Sequence, residues 1–256
     1  RMVNFGYKTT KTGFNIGSEF EYYEDLYITP KISSYYESLK TSSTASKNLK
    51  KQKGTYFDTD LNYSIDYDRR NQRFQPSNGF RSKFTQSIPL ISDNNSITNG
   101  YEFNKYEELT DVMVVIFSFF TKSINSISGD DVRISERLFM PGNKLRGFER
   151  GKIGPIDNND YVGGNYLAAI NIAATLPNLV PSIQNADFSV FFDAGNIWGV
   201  DYDSTINDSN ALRSAVGVAI DWYTPIGPLS FSLSETISKK TTDKTESFRF
   251  NLGTTF

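Results

Sequence analysis

The chain has 256 residues, with 27 basic and 29 acidic side chains and a formal net charge of −2. That balance excludes a global electrostatic pull toward nucleic acid. There is no cysteine and no histidine, which removes disulfides, Cys/His metal sites, thiol nucleophiles and a Ser–His–Asp triad from this stretch.

The dominant period is two. Twelve strands are predicted in chain order: 2–9, 13–24, 26–39, 55–69, 79–90, 97–107, 111–125, 162–176, 186–198, 212–224, 228–239 and 247–256. In the first, Val3, Phe5 and Tyr7 oppose Asn4, Gly6 and Lys8. In the second, Phe14, Ile16, Phe20 and Tyr22 oppose Asn15, Gly17, Glu19 and Glu21. The clearest case is 56–68, "YFDTDLNYSIDYD". There Phe57, Leu61, Tyr63, Ile65 and Tyr67 share one face with Thr59, and six polar residues from Asp58 to Asp68 share the other. Such alternation makes a strand with one apolar face; a helix of this sequence would bury nothing. The last predicted strand sets Phe248, Phe250, Leu252 and Phe256 against Arg249, Asn251, Gly253 and Thr255. No segment reads as a long amphipathic helix. The longest apolar run, 112–120, is too short for a membrane helix but matches the ~9–11 residues of a membrane strand.

Short turns near 24–25, 75–79 and 224–228 alternate with long polar loops at 40–54, 91–98, 127–161 and 199–211. The connection 177–186 is longer than its side of this pattern predicts. Alternation alone fits a soluble sandwich as well as a barrel, because both have one apolar and one polar face. Long strands, aromatic-rich apolar faces (Tyr 15, Phe 20) and alternating loop lengths favour an all-β, transmembrane, antiparallel up-and-down barrel.

The loop 143–155, "NKLRGFERGKIGP", first resembles a phosphate-binding loop. A P-loop needs Lys and then Ser or Thr after its second glycine. Here Phe148 follows Gly147, and Ile153 follows Gly151–Lys152 one residue out of register. On spacing alone, the stretch reads as an exposed, basic, glycine-rich loop. The acid pairs Asp58/Asp60 and Asp130/Asp131 read as a polar stripe and a loop, not as hydrolase or metal chemistry.

Several pieces together carry a family resemblance. They are "PGNKLRGFERGKIGP", "QPSNGFR" (75–81), "VGGN" (162–165), "FFDAGNIW" (191–198), "YTPIGPLSFSLS" (223–234) and the terminal "FRFNLGTTF". Spread over essentially the whole chain, they resemble the bacterial surface antigen family of outer-membrane barrels.

The resemblance implies a barrel of about 16 strands, within the known range for such barrels. Residues 1–256 would be its C-terminal portion, with about 12 strands, and the first strands and the periplasmic POTRA domains would precede Arg1. It implies that the loop bearing Leu145, Arg146, Gly147 and Phe148 folds into the lumen. Arg146 would meet Asp193 on the wall, with Asp221 as a possible second acid because Ala173 stands where the family often has one. Phe248, Phe250, Leu252, Gly253 and Phe256 would form the C-terminal β-signal and seam strand.

The implied activity is insertion and folding of other outer-membrane barrels, without catalysis, cofactor or metal. Implied partners are the outer-membrane bilayer, nascent barrel proteins and accessory assembly lipoproteins, with no nucleic acid. A related translocation and assembly barrel, a two-partner-secretion transporter and a passive channel are the alternatives. A barrel lipase is disfavoured by the missing histidine and the missing G-x-S-x-G.

Overall fold

A computed structural model describes residues 6–93, 95–177, 179, 185–206, 208, 210–224 and 227–252. Its elements are β1 (Tyr7–Gly17), β2 (Phe20–Tyr23), β3 (Leu26–Thr41), α1 (Lys47–Lys51), β4 (Gly54–Asp68), β5 (Gly79–Ser92), β6 (Ser96–Thr110) and β7 (Met113–Ser126). Then come β8 (Ile156–Asp157), β9 (Asp160–Tyr161), β10 (Tyr166–Pro177), β11 (Ala186–Trp198), β12 (Arg213–Thr224), β13 (Gly227–Ser238) and β14 (Phe248–Leu252). All pairings are antiparallel. Twelve strands form one sheet that follows chain order, and β8–β9 is a separate small hairpin within the long loop.

Each long strand places its two faces as the alternation dictates. On β11, Phe191, Asp193 and Ile197 are buried, while Val190 and Phe192, at the alternate positions, are exposed. On β10, Leu167 and Ala169 are buried and Ile170 and Ile172 exposed. Phe14, Ile32, Tyr36, Phe117, Val218, Trp222 and Leu233 extend the exposed apolar face around the sheet. An apolar outer face and a filled polar interior are the inverse of a soluble sandwich, and they match a barrel wall in lipid. No helix among the described residues is long and apolar enough to cross a membrane; crossing here belongs to strands.

Two predicted strands are corrected. The break predicted between the strands 2–9 and 13–24 is absent: Tyr7–Gly17 runs unbroken, and both it and Phe20–Tyr23 pair with β3. The apolar set changes from odd to even positions between Tyr7 and Phe14, where the sequence reading ends one strand and begins the next. The physical reason is that Tyr7 points inward. It is buried in a cluster with Leu39, Leu49, Ile134, Tyr161, Val162 and Val200, whereas Phe14 and Ile16 face outward. Thr10–Lys11–Thr12 thus stays extended, as β-branched residues favour. Val3 and Phe5 lie outside the described residues, as does most of the 177–186 connection.

The interior is filled by the loop between β7 and β10. A second cluster joins loop residues Met140, Leu145, Phe148 and Ile153 to wall residues Phe120, Leu167, Ala169, Ile197 and Ala215. The short α1 caps the first cluster. Ser46 Oγ accepts from the Leu49 amide at 3.2 Å, satisfying one of the orphan amides of the first turn, and Leu49 points into the core.

Candidate functional site: an inward loop pinned to the wall and to the last strand

Arg146 lies at a turn of the loop. Its Nε and Nη2 each donate to Asp193 at 2.8 Å, and its backbone N–H donates to the same carboxylate at 2.9 Å. Asp193 is fully buried and the Arg146 side chain is 19% exposed. A planar fork of donors suits a carboxylate, and here both oxygens are used.

The wall is shaped to admit this contact. The Arg146 guanidinium lies 3.4 Å from the centroid of the Phe191 ring, a cation–π geometry. Phe191 faces Gly217 across the β11–β12 ladder, and a Cβ on Gly217 would fall 2.6 Å from the Phe191 ring. The missing side chain at 217 therefore makes room for the ring that supports Arg146. Gly147 has φ +88°, and a Cβ there would meet Ala215 Cβ at 2.9 Å. Both the left-handed turn and the close approach to β12 require glycine. Leu145 and Phe148, at 1% and 2% exposure, flank the turn as apolar anchors.

The other wall contacts differ from those the sequence implies. The residue across from Asp193 on β10 is Asn171, and Ala173 faces Phe191. Asn171 Nδ2 donates to the Lys144 carbonyl at 2.8 Å, so an amide on this strand holds the loop backbone. Lys144 Nζ reaches Glu102 on β6 at 2.6 Å. Asp221 is not beside Arg146. The ladder partner of Asp193 on β12 is Ala215, six residues away from Asp221, which accepts from Ser230 at 2.5 Å. Both are inward positions, but six residues of strand span roughly 20 Å.

A second anchor, near the loop's start, has no counterpart in the sequence reading. Arg133, 1% exposed, is paired with Asp58 on β4, with Glu37 on β3 at 3.3 Å and with Glu136 in the loop at 2.5 Å. Its guanidinium also lies 4.3 Å from the Tyr56 ring. Arg137 pairs with Asp201 and donates to Asn165 at 2.7 Å. Burial holds the Glu136 carboxyl above the ordinary carboxylate range, and Arg133 offsets this only in part.

The third anchor is the last strand. Phe248, Phe250 and Leu252 are exposed on the outer face, with Phe250 5.0 Å from Phe231 of β13. Gly253 and Phe256 lie outside the described residues. Arg249, on the inner face, donates to the Gly142 carbonyl and, at 2.5 Å, to the Phe148 carbonyl. The chain entering β14 pairs with the same loop through backbone bonds: Glu246 N–H to Gly147 O at 3.0 Å, Glu149 N–H to Lys244 O at 3.0 Å, and Lys244 N–H to Lys152 O at 3.1 Å. The one available signal for Arg249 was a lone arginine at an inward position of the final strand.

The Omp85 superfamily domain matches residues 2–256. The chain is 25% identical over 218 residues to outer membrane protein assembly factor BamA of Neorickettsia risticii, covering 83% of this chain and 29% of that protein. It is 33% identical over 141 residues to BamA of Neisseria meningitidis serogroup B, covering 44% of this chain and 17% of that one. It thus spans less than a third of these relatives' length. The crystal structure of BamA from Haemophilus ducreyi lacking POTRA domains 1–3 superposes with a TM-score of 0.84 over 95% of this chain and 54% of that one, at 23% identity. The outward apolar face, the up-and-down strand order and the domain match agree: the chain belongs to the Omp85 superfamily, and its place is the bacterial outer membrane.

Proposed function

We propose that this chain is the C-terminal part of a barrel that inserts and folds other β-barrel proteins in the outer membrane. The observation that carries this reading is the linkage of the pinned loop to β14. The described residues of β14, Phe248–Leu252, pair with β13, and the chain leading into the strand is held by the loop turn at 147–152. A strand edge in lipid leaves its N–H and C=O groups unsatisfied, so it favours an incoming strand. The partners are therefore nascent outer-membrane barrel proteins and the surrounding bilayer, with accessory lipoproteins acting outside the barrel. The work is templating, and no bond is made or broken. In this reading Arg146 and Asp193 fix the loop, Leu145 and Phe148 fill the lumen beside it, and Phe248, Phe250 and Leu252 present the seam strand to lipid.

The test is folding of a urea-unfolded small barrel into phosphatidylcholine vesicles that contain the full-length protein. The wild type should accelerate folding, and Arg146→Ala should slow it toward the protein-free rate. Equal acceleration by wild type, by Arg146→Ala and by a protein with its last strand disulfide-locked to its seam neighbour would overturn the proposal.

A further inference from the structure

Residues 40–53 contain five lysines and no acidic residue: Lys40, Lys47, Lys50, Lys51 and Lys53. All five are exposed. The loop folds so that this must be so: Leu49 and Ala45 enter the first core cluster, Ser46 Oγ donates to Asp157 at 2.6 Å, and the lysines are left on the outer surface. Lys8 of β1 lies directly across the ladder from Lys40 of β3. Their neighbours Tyr7 and Leu39 are buried, so Lys8 and Lys40 point away from the lumen, toward the lipid side. No ion pair within 4.0 Å joins any of these six lysines to a carboxylate among the described residues. Asp131 feels the Lys51 charge from inside the loop system.

Position identifies the occupant. On the outward face of β3, the exposed Tyr36 packs on Phe57 of β4 at 4.8 Å between centroids. It marks the aromatic edge of the apolar band. Lys40 is two outward positions beyond it, at the end of the sheet carrying the long loops. Like charges directly opposite on one face repel, and two lysine stems that snorkel past an aromatic girdle place their ammonium groups at headgroup level. A lipid phosphate between them relieves that repulsion.

We propose that Lys8, Lys40 and the lysines of residues 47–53 form a binding surface for phosphorylated lipid headgroups of the outer leaflet. This site is separate from the pinned loop and from the assembly role. It requires only that the apolar face meets lipid. It would seat the β1–β3 side of the wall against anionic headgroups.

The test uses the full-length protein in mixed phosphatidylcholine and phosphatidic acid vesicles. Lipids retained on extraction are counted by native mass spectrometry. Wild type should retain phosphatidic acid in excess over its share of the bilayer, less so at high salt. Lys8→Ser with Lys40→Ser should lower that enrichment at least roughly fivefold. Replacing Lys47, Lys50, Lys51 and Lys53 by serine should lower it further. Arginine at positions 8 and 40 should preserve it, and heat-dependent gel mobility checks that each variant is folded. Equal enrichment in wild type and the folded serine variants would overturn the proposal. So would no enrichment in wild type, or displacement of the lipid by inorganic phosphate at matched ionic strength, which would mark a soluble-anion site instead.

Discussion

The two arginine anchors of the inner loop solve the same problem in opposite ways. At Arg146 one guanidinium meets one carboxylate, with three N–H donors on Asp193 and an aromatic ring beneath. At Arg133 one guanidinium faces three carboxylates, and its Nη1 and Glu136 Oε2 are buried without a hydrogen-bond partner among the described residues. Glu37 and Asp58 are helped by Thr9, Ser135 and Ser92 hydroxyls rather than by a second cation of comparable burial; Lys11 stands 3.7 Å from Glu37 at the exposed side. The first anchor is matched in charge and geometry. The second is an excess of buried negative charge with one cation at its centre. Loss of the cation strands one buried carboxylate at Asp193 but three around Arg133, so the overcharged cluster depends more heavily on its single cation.

That contrast is open to direct attack. The largest effect belongs to Arg133→Met, which leaves three carboxylates together in the interior. About 3–5 kcal/mol of stability should be lost, read as a drop in the urea midpoint of the folded barrel. Arg146→Lys is expected to cost less, about 1–2 kcal/mol, since a charge remains on Asp193 while the two-pronged geometry is lost. If both substitutions cost the same, the distinction between matched and overcharged anchors fails.

The smallest effect belongs to Glu136→Gln. Because burial raises the folded-state pKa of Glu136, its contribution to stability is fully present below the unfolded value and is lost as pH rises through the raised one. Glutamine, which does not ionise, should therefore match the wild type in acid. At neutral pH it should equal or exceed it, by less than about 1 kcal/mol. Urea unfolding against pH checks this; a variant destabilised at neutral pH would show that Glu136 is a needed partner of Arg133, not surplus charge.

Much of the fold was legible because a period of two is a local property. The strands at 54–68, 186–198 and 213–224 carry it without interruption, and the inward direction of Asp193 follows from the outward direction of Phe192. Where the period was locally ambiguous, as between Tyr7 and Phe14, an inward aromatic imitated a break between strands. The candidate site was legible in part. Leu145 to Phe148 stood out as a motif, but Arg133 and Arg249 looked like ordinary basic residues. Nothing local distinguishes an arginine that will meet acids or carbonyls 75 to 107 positions away.

By itself, then, the sequence determined which residues share a face, where the long and short connections fall, and that glycine stands at 147 and 217. Only the tertiary structure decided that Asn171 rather than Ala173 stands across from Asp193, that Asp221 is roughly 20 Å from the loop turn, and that the last strand is tied to the loop through Arg249. The physical reason is register. Alternation fixes the direction of every side chain along its own strand, but the height at which two strands pair, and the loop seated between them, are settled by packing across the whole sheet.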